Sequence, residues 1–275
     1  MPPPHGHAGR GGALVVHVWA HNQEEELARI RELARGFPIA AVSASHDGPP
    51  AFLQLPAGGQ TCPRTLEASY EAVRASVERA ASARVGLALA SRDGELALGG
   101  RVWLFHLGAG AGLADPRRVS AGIMAHARAA MPRGALVTSD GAEDVAYLVR
   151  HIAADGSLPR RRAEFLRACG LCFPALYDLR VLAEWTTPAG HPPPLAAAAS
   201  GSGAFRAFVA LAQDAWFWEV KVAYNAFLYG LGAADNEYLV RYKVQKEEDQ
   251  ESERRLRELL LQVHGEAYVK NLHIL

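Results

Sequence analysis

Cysteine is scarce in this chain: Cys62, Cys169 and Cys172 are the only three in 275 residues. An odd and small number in a chain of this length excludes a disulfide framework and suits a reducing compartment. Charge imbalance is also lacking. Lys+Arg and Asp+Glu both number 29 and the pI is near 7.2, so no global basic field draws in a polyanion, and such a contact would need a local groove. No run reaches the roughly 18 apolar residues of a membrane span. The first dozen residues are rich in Pro, Gly and His and hold no apolar core of a secretory signal. Residues 1–13 therefore read as a flexible leader, and no internal repeat follows.

What is present is apolar. With 49% hydrophobic residues the chain can bury a sizeable core, and one unit of roughly 230 residues plus a tail is the expectation. Asn22 stands before Glu24, Glu25 and Glu26, where acidic charge suits a helix start, and Leu27, Ile30, Leu33 and Ala34 supply the helical stripe. A second stripe over 66–82 places Tyr70, Val73 and Val77 in the core. Residues 85–91 and 101–106 flank Asp93-Gly94, a hairpin signal. Pro116 follows Asp115 at the start of a predicted helix over 116–130. A short strand at 136–138, helices over 142–154 and 160–169, and a strand at 173–178 leading into a helix over 179–185 complete the pattern. Strands alternating with helices, with one hairpin among them, predict a mixed α/β sheet with helices on both faces.

One stretch, residues 37–48, carries the chemical interest. It reads as a buried strand entering a loop, and Ser43 and Ser45, two positions apart, share a face. A two-metal nuclease would place carboxylates there. Cys169 and Cys172 have CxxC spacing without a second pair or a histidine in register, so they read as packed thiols rather than a zinc site. The aromatic cluster Trp216, Phe217 and Trp218 reads as core, since only Arg206 and Lys221 interleave with it. Residues 246–262 read as a charged, solvated helix.

Six segments in order resemble the CCR-associated-factor deadenylases, the RNase-D-like subunit of the CCR-NOT complex. Val18-Trp19-Ala20-His21-Asn22-Gln23-Glu24-Glu25-Glu26 is similar to that family's opening V-W-A-x-N-x-E-E-E, with Phe37-Pro38 following at the expected distance. Val85-Gly86-Leu87 through Asp93-Gly94 resembles L-G-L-T-F-S-x-x-D-G, and Val102-Trp103-Leu104-Phe105 resembles V-W-Q-F. Leu158-Pro159 with Phe165, then Phe173-Pro174 with Tyr177-Asp178, and finally Leu228-Tyr229-Gly230-Leu231-Gly232 match later motifs. The resemblance implies a ribonuclease-H-like DEDD exonuclease fold over 14–232, a mixed central sheet flanked by helices, followed by a charged helical tail at 233–275. It also implies a poly(A)-specific 3′-to-5′ ribonuclease activity on messenger RNA, divalent Mg or Mn, the CCR-NOT scaffold and a CCR-type nuclease subunit as partners, no membrane, and a nuclear and cytoplasmic location.

Carried over residue by residue, the family's D-x-E-F-P-G puts its two acids on Ser43 and Ser45, with Gly48 matching the glycine. The third acid is retained as Asp144, a residual metal ligand on this reading, with Tyr147-Leu148 behind it. The fourth acid falls on Gly203, and the histidine that moves the proton falls on Ala198. Asp178 belongs to the Y-D pair and reads as a helix-start or hydrogen-bonding residue. A serine hydroxyl is a weak, neutral ligand beside a carboxylate. The expectation is therefore a pseudo-enzyme, silent or weak, that keeps the scaffold and its protein contacts or binds RNA without cutting it. The alternatives are an active deadenylase with acids recruited from Asp47, Asp140 and Asp144, and a non-enzymatic interaction module working through the tail.

Overall fold

Short apolar runs bounded by turns alternate along the chain with stripes of helical period, and each becomes the element its period dictates. A computed structural model describes residues 14–48, 66–138, 141–186 and 225–232. In chain order they form β1 (Leu14–Val18), α1 (Gln23–Leu33), β2 (Ile39–His46), α2 (Leu66–Arg79), β3 (Ser82–Ala90), β4 (Arg101–Gly108), α3 (Pro116–Ala129), β5 (Ala135–Thr138), α4 (Gly141–Ile152), α5 (Arg162–Cys172), β6 (Leu176–Asp178) and α6 (Leu179–Thr186). The strands make one mixed sheet in the order β1-β4-β3-β2-β5-β6. β2 lies at its middle, antiparallel to β3 and parallel to β5.

Alternation along the strands sorts the core. Ala40, Val42, Val85, Leu87, Leu89, Trp103, Phe105 and Leu107 point to one face, where the apolar stripes of α1 to α5 cover them. Trp103 is fully buried there and donates its indole N–H to Glu26 Oε2 at 2.7 Å, with Arg29 paired to the other Glu26 oxygen. Ile39, Ala41, Ala88, Ala90, Val137 and Tyr177 point the other way, against Leu179, Val181 and Leu182 of α6. The edge of β6 is closed by residues 225–232. Asn225 Oδ1 accepts the Leu176 N–H at 2.9 Å, the Ala226 N–H donates to Leu176 O at 2.9 Å, and Leu228 and Leu231 are buried.

Several local expectations change in detail. Asn22 precedes α1 but does not cap it: its Oδ1 accepts the Trp19 N–H at 2.8 Å and its Nδ2 donates to His17 O, so it ties the preceding turn. α2 ends at Arg79 rather than 82, because the chain turns there to enter β3. Asp47 holds that turn by accepting the Ala81 and Ser82 N–H groups at 2.9 and 3.0 Å. β3 and β4 do pair antiparallel, but residues 91–100 connect them with a short 3-10 turn that buries Ala97, rather than a tight hairpin loop. α5 runs on to Cys172. Burial raises the thiol pKa of both Cys169 and Cys172, which suits packed thiols rather than reactive ones. Among the described residues no helix is long and apolar enough to cross a membrane. Cys62, the aromatic cluster at 216–218, the leader and the tail lie outside the described residues.

Candidate active site

β2 pairs with β5 through Val42, opposite Thr138, and then runs four residues further with no strand of the described residues along that edge. Those residues are Ser43, Ala44, Ser45 and His46. Their alternation sends Ser43 and Ser45 to the α6 side of the sheet, as the spacing requires. Ser43 is half-buried and Ser45 exposed. Across β3, Ser43 sits opposite Gly86 and Ser45 opposite Arg84. The four strands β1, β4, β3 and β2 carry no carboxylate at all.

Asp144, the acid expected from the resemblance, occupies a different environment. Asp144 lies in the first turn of α4 and is fully buried. Its Oδ1 accepts the Ala44 N–H at 2.6 Å, replacing the strand partner that β2 loses where β5 stops, and its Oδ2 accepts the Thr138 hydroxyl. Both oxygens hold protein donors, so the carboxylate fastens β2 to the start of α4. Asp178, at the end of β6, is similarly engaged. Its Oδ1 accepts the Arg180 N–H at 2.9 Å, capping α6, and its Oδ2 accepts the Tyr229 N–H at 2.8 Å. Burial pushes its carboxyl up to about 7, a rise that the two backbone donors oppose and Asp144 reinforces. Gly141 makes room for it, since a Cβ there would stand 2.0 Å from Asp178 Oδ2.

The neighbouring residues are structural in the same way. Asp47 uses both oxygens on Ala81 and Ser82, and its pKa is lowered, chiefly by the Ser82 backbone N–H. His46 is buried on the helical side with its Nε2 3.5 Å from Glu143 Oε2. Gly48 passes so close to α2 that a Cβ would meet Ser76 O at 2.2 Å. Asp140, Ala198 and Gly203 lie outside the described residues. Within them, no three metal-ligating side chains converge.

The structure thus gathers Ser43 and Ser45 on one surface and holds Asp144 inside the sheet edge. It also assembles residues that sequence reading passed over. Arg84 becomes notable only through its register opposite Ser45 and His106. His106 lies flat on Trp19, with ring centroids 3.9 Å apart, and its Nε2 is 2.9 Å from His17 Nδ1. Burial lowers the His106 pKa ahead of the smaller effects of His17 and Arg84. Strand parity would have put His17 and His106 on the serine face, but the pairing of β1 with β4 was needed to bring them together.

A divalent pair of the two-metal type needs several hard oxygen ligands on one surface. Two neutral hydroxyls with a buried carboxylate already engaged by two donors do not fit that requirement.

This topology has solved counterparts. The structure of S. pombe Pop2p in its Mg2+- and Mn2+-bound form matches with a TM-score of 0.58 at 18% identity, over 79% of this chain and 99% of that one. The fold is that of the Pop2 ribonuclease domain. A chain in the structure of the yeast NOT1 MIF4G domain co-crystallised with CAF1 matches at a TM-score of 0.56 and 18% identity, over 78% of this chain and 96% of that one. The RNase domain of the yeast Pop2 protein matches at 0.52 and 18% identity, over 73% and 85%. No protein-family model matches the chain. The mixed sheet with flanking helices is therefore a ribonuclease-H-like fold.

Proposed function

We propose that this chain is a divergent, catalytically silent member of the CCR-associated-factor deadenylase family, acting as a scaffold subunit in a CCR-NOT-type assembly of the nucleus and cytoplasm. The observation that carries the reading is the pair Ser43 and Ser45, which present hydroxyls where the resemblance calls for the first two metal-binding carboxylates. The engagement of Asp144 by Ala44 and Thr138 supports it, since a carboxylate that fastens two elements persists for stability after the chemistry has gone. The absence of carboxylates from five of the six strands supports it further. The intact packing of α1 to α5 supports retention of a protein-binding scaffold. The NOT1 MIF4G co-crystal with CAF1 supplies the kind of partner to test.

The test is incubation of the purified chain with a 3′-oligoadenylate RNA and Mg²⁺ or Mn²⁺. The RNA is expected to remain full length. Ladder-like shortening that Asp144→Asn abolishes would overturn the silent reading, because asparagine can keep an oxygen toward Ala44 N and an N–H toward Thr138 Oγ1 while removing the charge. Co-purification with a NOT1 MIF4G domain is expected, and failure to bind it would separate this chain from the assembly.

A further inference from the structure

The serine face is a built depression and not a bare surface. Between β1, β4, β3 and β2, on the side away from α1 to α5, lies a cavity of about 350 Å³. Strand register lays out its contents. Ala41, Ala88, Val102 and Val15 form one cross-strand row, and Arg84 with Ser45 forms another row four residues along β2. At about 3.4 Å per residue the two rows are roughly 13–14 Å apart. One end is apolar, and the other offers a guanidinium and two hydroxyls.

Three observations mark the polar end as a ligand site. Arg84 is exposed and makes no ion pair or hydrogen bond among the described residues, and the hydroxyls of Ser43 and Ser45 likewise have no partner there. No carboxylate on any of the four strands competes for the guanidinium. Gly86, between the two rows, leaves open space over the floor: a Cβ there would meet only Ser43 O, at 3.8 Å. A guanidinium fork flanked by hydroxyls recognises a carboxylate or a phosphate by charge-assisted hydrogen bonds. The apolar row beside it favours a ligand with a hydrophobic body.

We propose that this face binds a small amphipathic anion directly, without a metal ion, its carboxylate or phosphate-monoester head on Arg84, Ser43 and Ser45 and its apolar body over Val15 and Val102. The site stands on register and charge alone and does not depend on the proposed loss of catalysis.

Isothermal titration calorimetry of the full chain in EDTA tests it, with phenyl phosphate and 4-phenylbutyrate as probes and inorganic phosphate and benzyl alcohol as the head-only and body-only controls. At least one probe is expected to bind saturably, about tenfold or more tighter than either control, and the stronger probe identifies the head group. Arg84→Gln and Gly86→Val are each expected to weaken that probe by about tenfold or more. Gly86→Val adds bulk at a position where a Cβ meets only Ser43 O, at 3.8 Å, and Arg84→Gln changes an exposed side chain, so an unchanged thermal midpoint in the latter keeps the test valid if the former misfolds. No saturable binding by either probe, controls that bind as tightly as the probes, or a probe affinity that Arg84→Gln leaves unchanged would each overturn the proposal.

Discussion

The two faces of the sheet differ in what fixes their residues. On the helical face Trp103, Phe105, Leu87, Leu89 and Val85 are essentially inaccessible, and α1 to α5 seal them into one cluster. On the other face α6 and residues 225–232 cover the β5-β6 end, while Ser43, Ser45, Arg84 and Val15 remain at least partly open. The closed face is constrained by volume, because any change of size there leaves a void or a clash. The open face is free of that volume constraint where its side chains reach solvent. Residues on that face can therefore differ between chains of this fold without disturbing the core, and Ser43 and Ser45 lie there.

The strongest test of that contrast is Trp103→Ala. It empties the centre of the closed face and strands the Glu26 acceptor, so a loss of about 3–5 kcal/mol is expected in urea unfolding. A loss near zero would show that the helical cluster is not what holds the sheet.

The next largest effect is on pH dependence. Asp178 has a folded-state value of about 7, above its ordinary 3.8, so the folded chain binds that proton more tightly than the unfolded chain does. The penalty is absent below the ordinary value, grows as pH rises toward about 7 and is constant above it. The slope is at most about 1.4 kcal/mol per pH unit. Asp178→Asn is expected to flatten stability against pH in that window, and an unaltered slope would remove Asp178 as its cause.

Gly141→Ala comes third. The added methyl group would meet the Asp178 carboxylate at 2.0 Å, and about 1–3 kcal/mol of destabilisation is expected by thermal unfolding. Asp144 gives a graded pair of similar or smaller size. Asp144→Ala leaves the Ala44 N–H and the Thr138 hydroxyl without their acceptor and should cost about 1–3 kcal/mol, while Asp144→Asn should cost less. Equal losses would mean that charge, rather than hydrogen bonding, is what the site uses.

The smallest effect belongs to the open face. Ser45→Glu places a carboxylate opposite Arg84 and should change stability by only about 0.5 kcal/mol or less. The double substitution Ser43→Asp with Ser45→Glu should place two acids on this face without producing oligoadenylate cleavage. Cleavage by that variant would show that the remaining ligands are supplied.

Much of this molecule was legible in advance wherever a period or a spacing carries the information. The stripe Tyr70, Val73, Val77 specified a core helix, and Asp115-Pro116 specified the start of α3, where Asp115 does accept the Arg117 N–H at 2.9 Å. The face shared by Ser43 and Ser45 followed from a two-residue alternation. Asn22 misled because a short polar side chain before a helix has two sets of backbone partners within reach, and the turn at His17 to Trp19 offered the better one. Asp144 was legible as a position but not as a role, since nothing local indicates that its carboxylate faces Ala44 one hundred residues away.

The sequence by itself determined the element types, the mixed sheet with its helical cover, and the uncharged pair Ser43 and Ser45 on one strand face, because these depend on local period and on residue identity. Only the tertiary structure decided which strands lie side by side. Register set Arg84 against Ser45, stacked His106 on Trp19, and closed two donors onto Asp144. Pairing between distant segments is chosen by the collective packing of the closed face, and no short stretch of sequence encodes it.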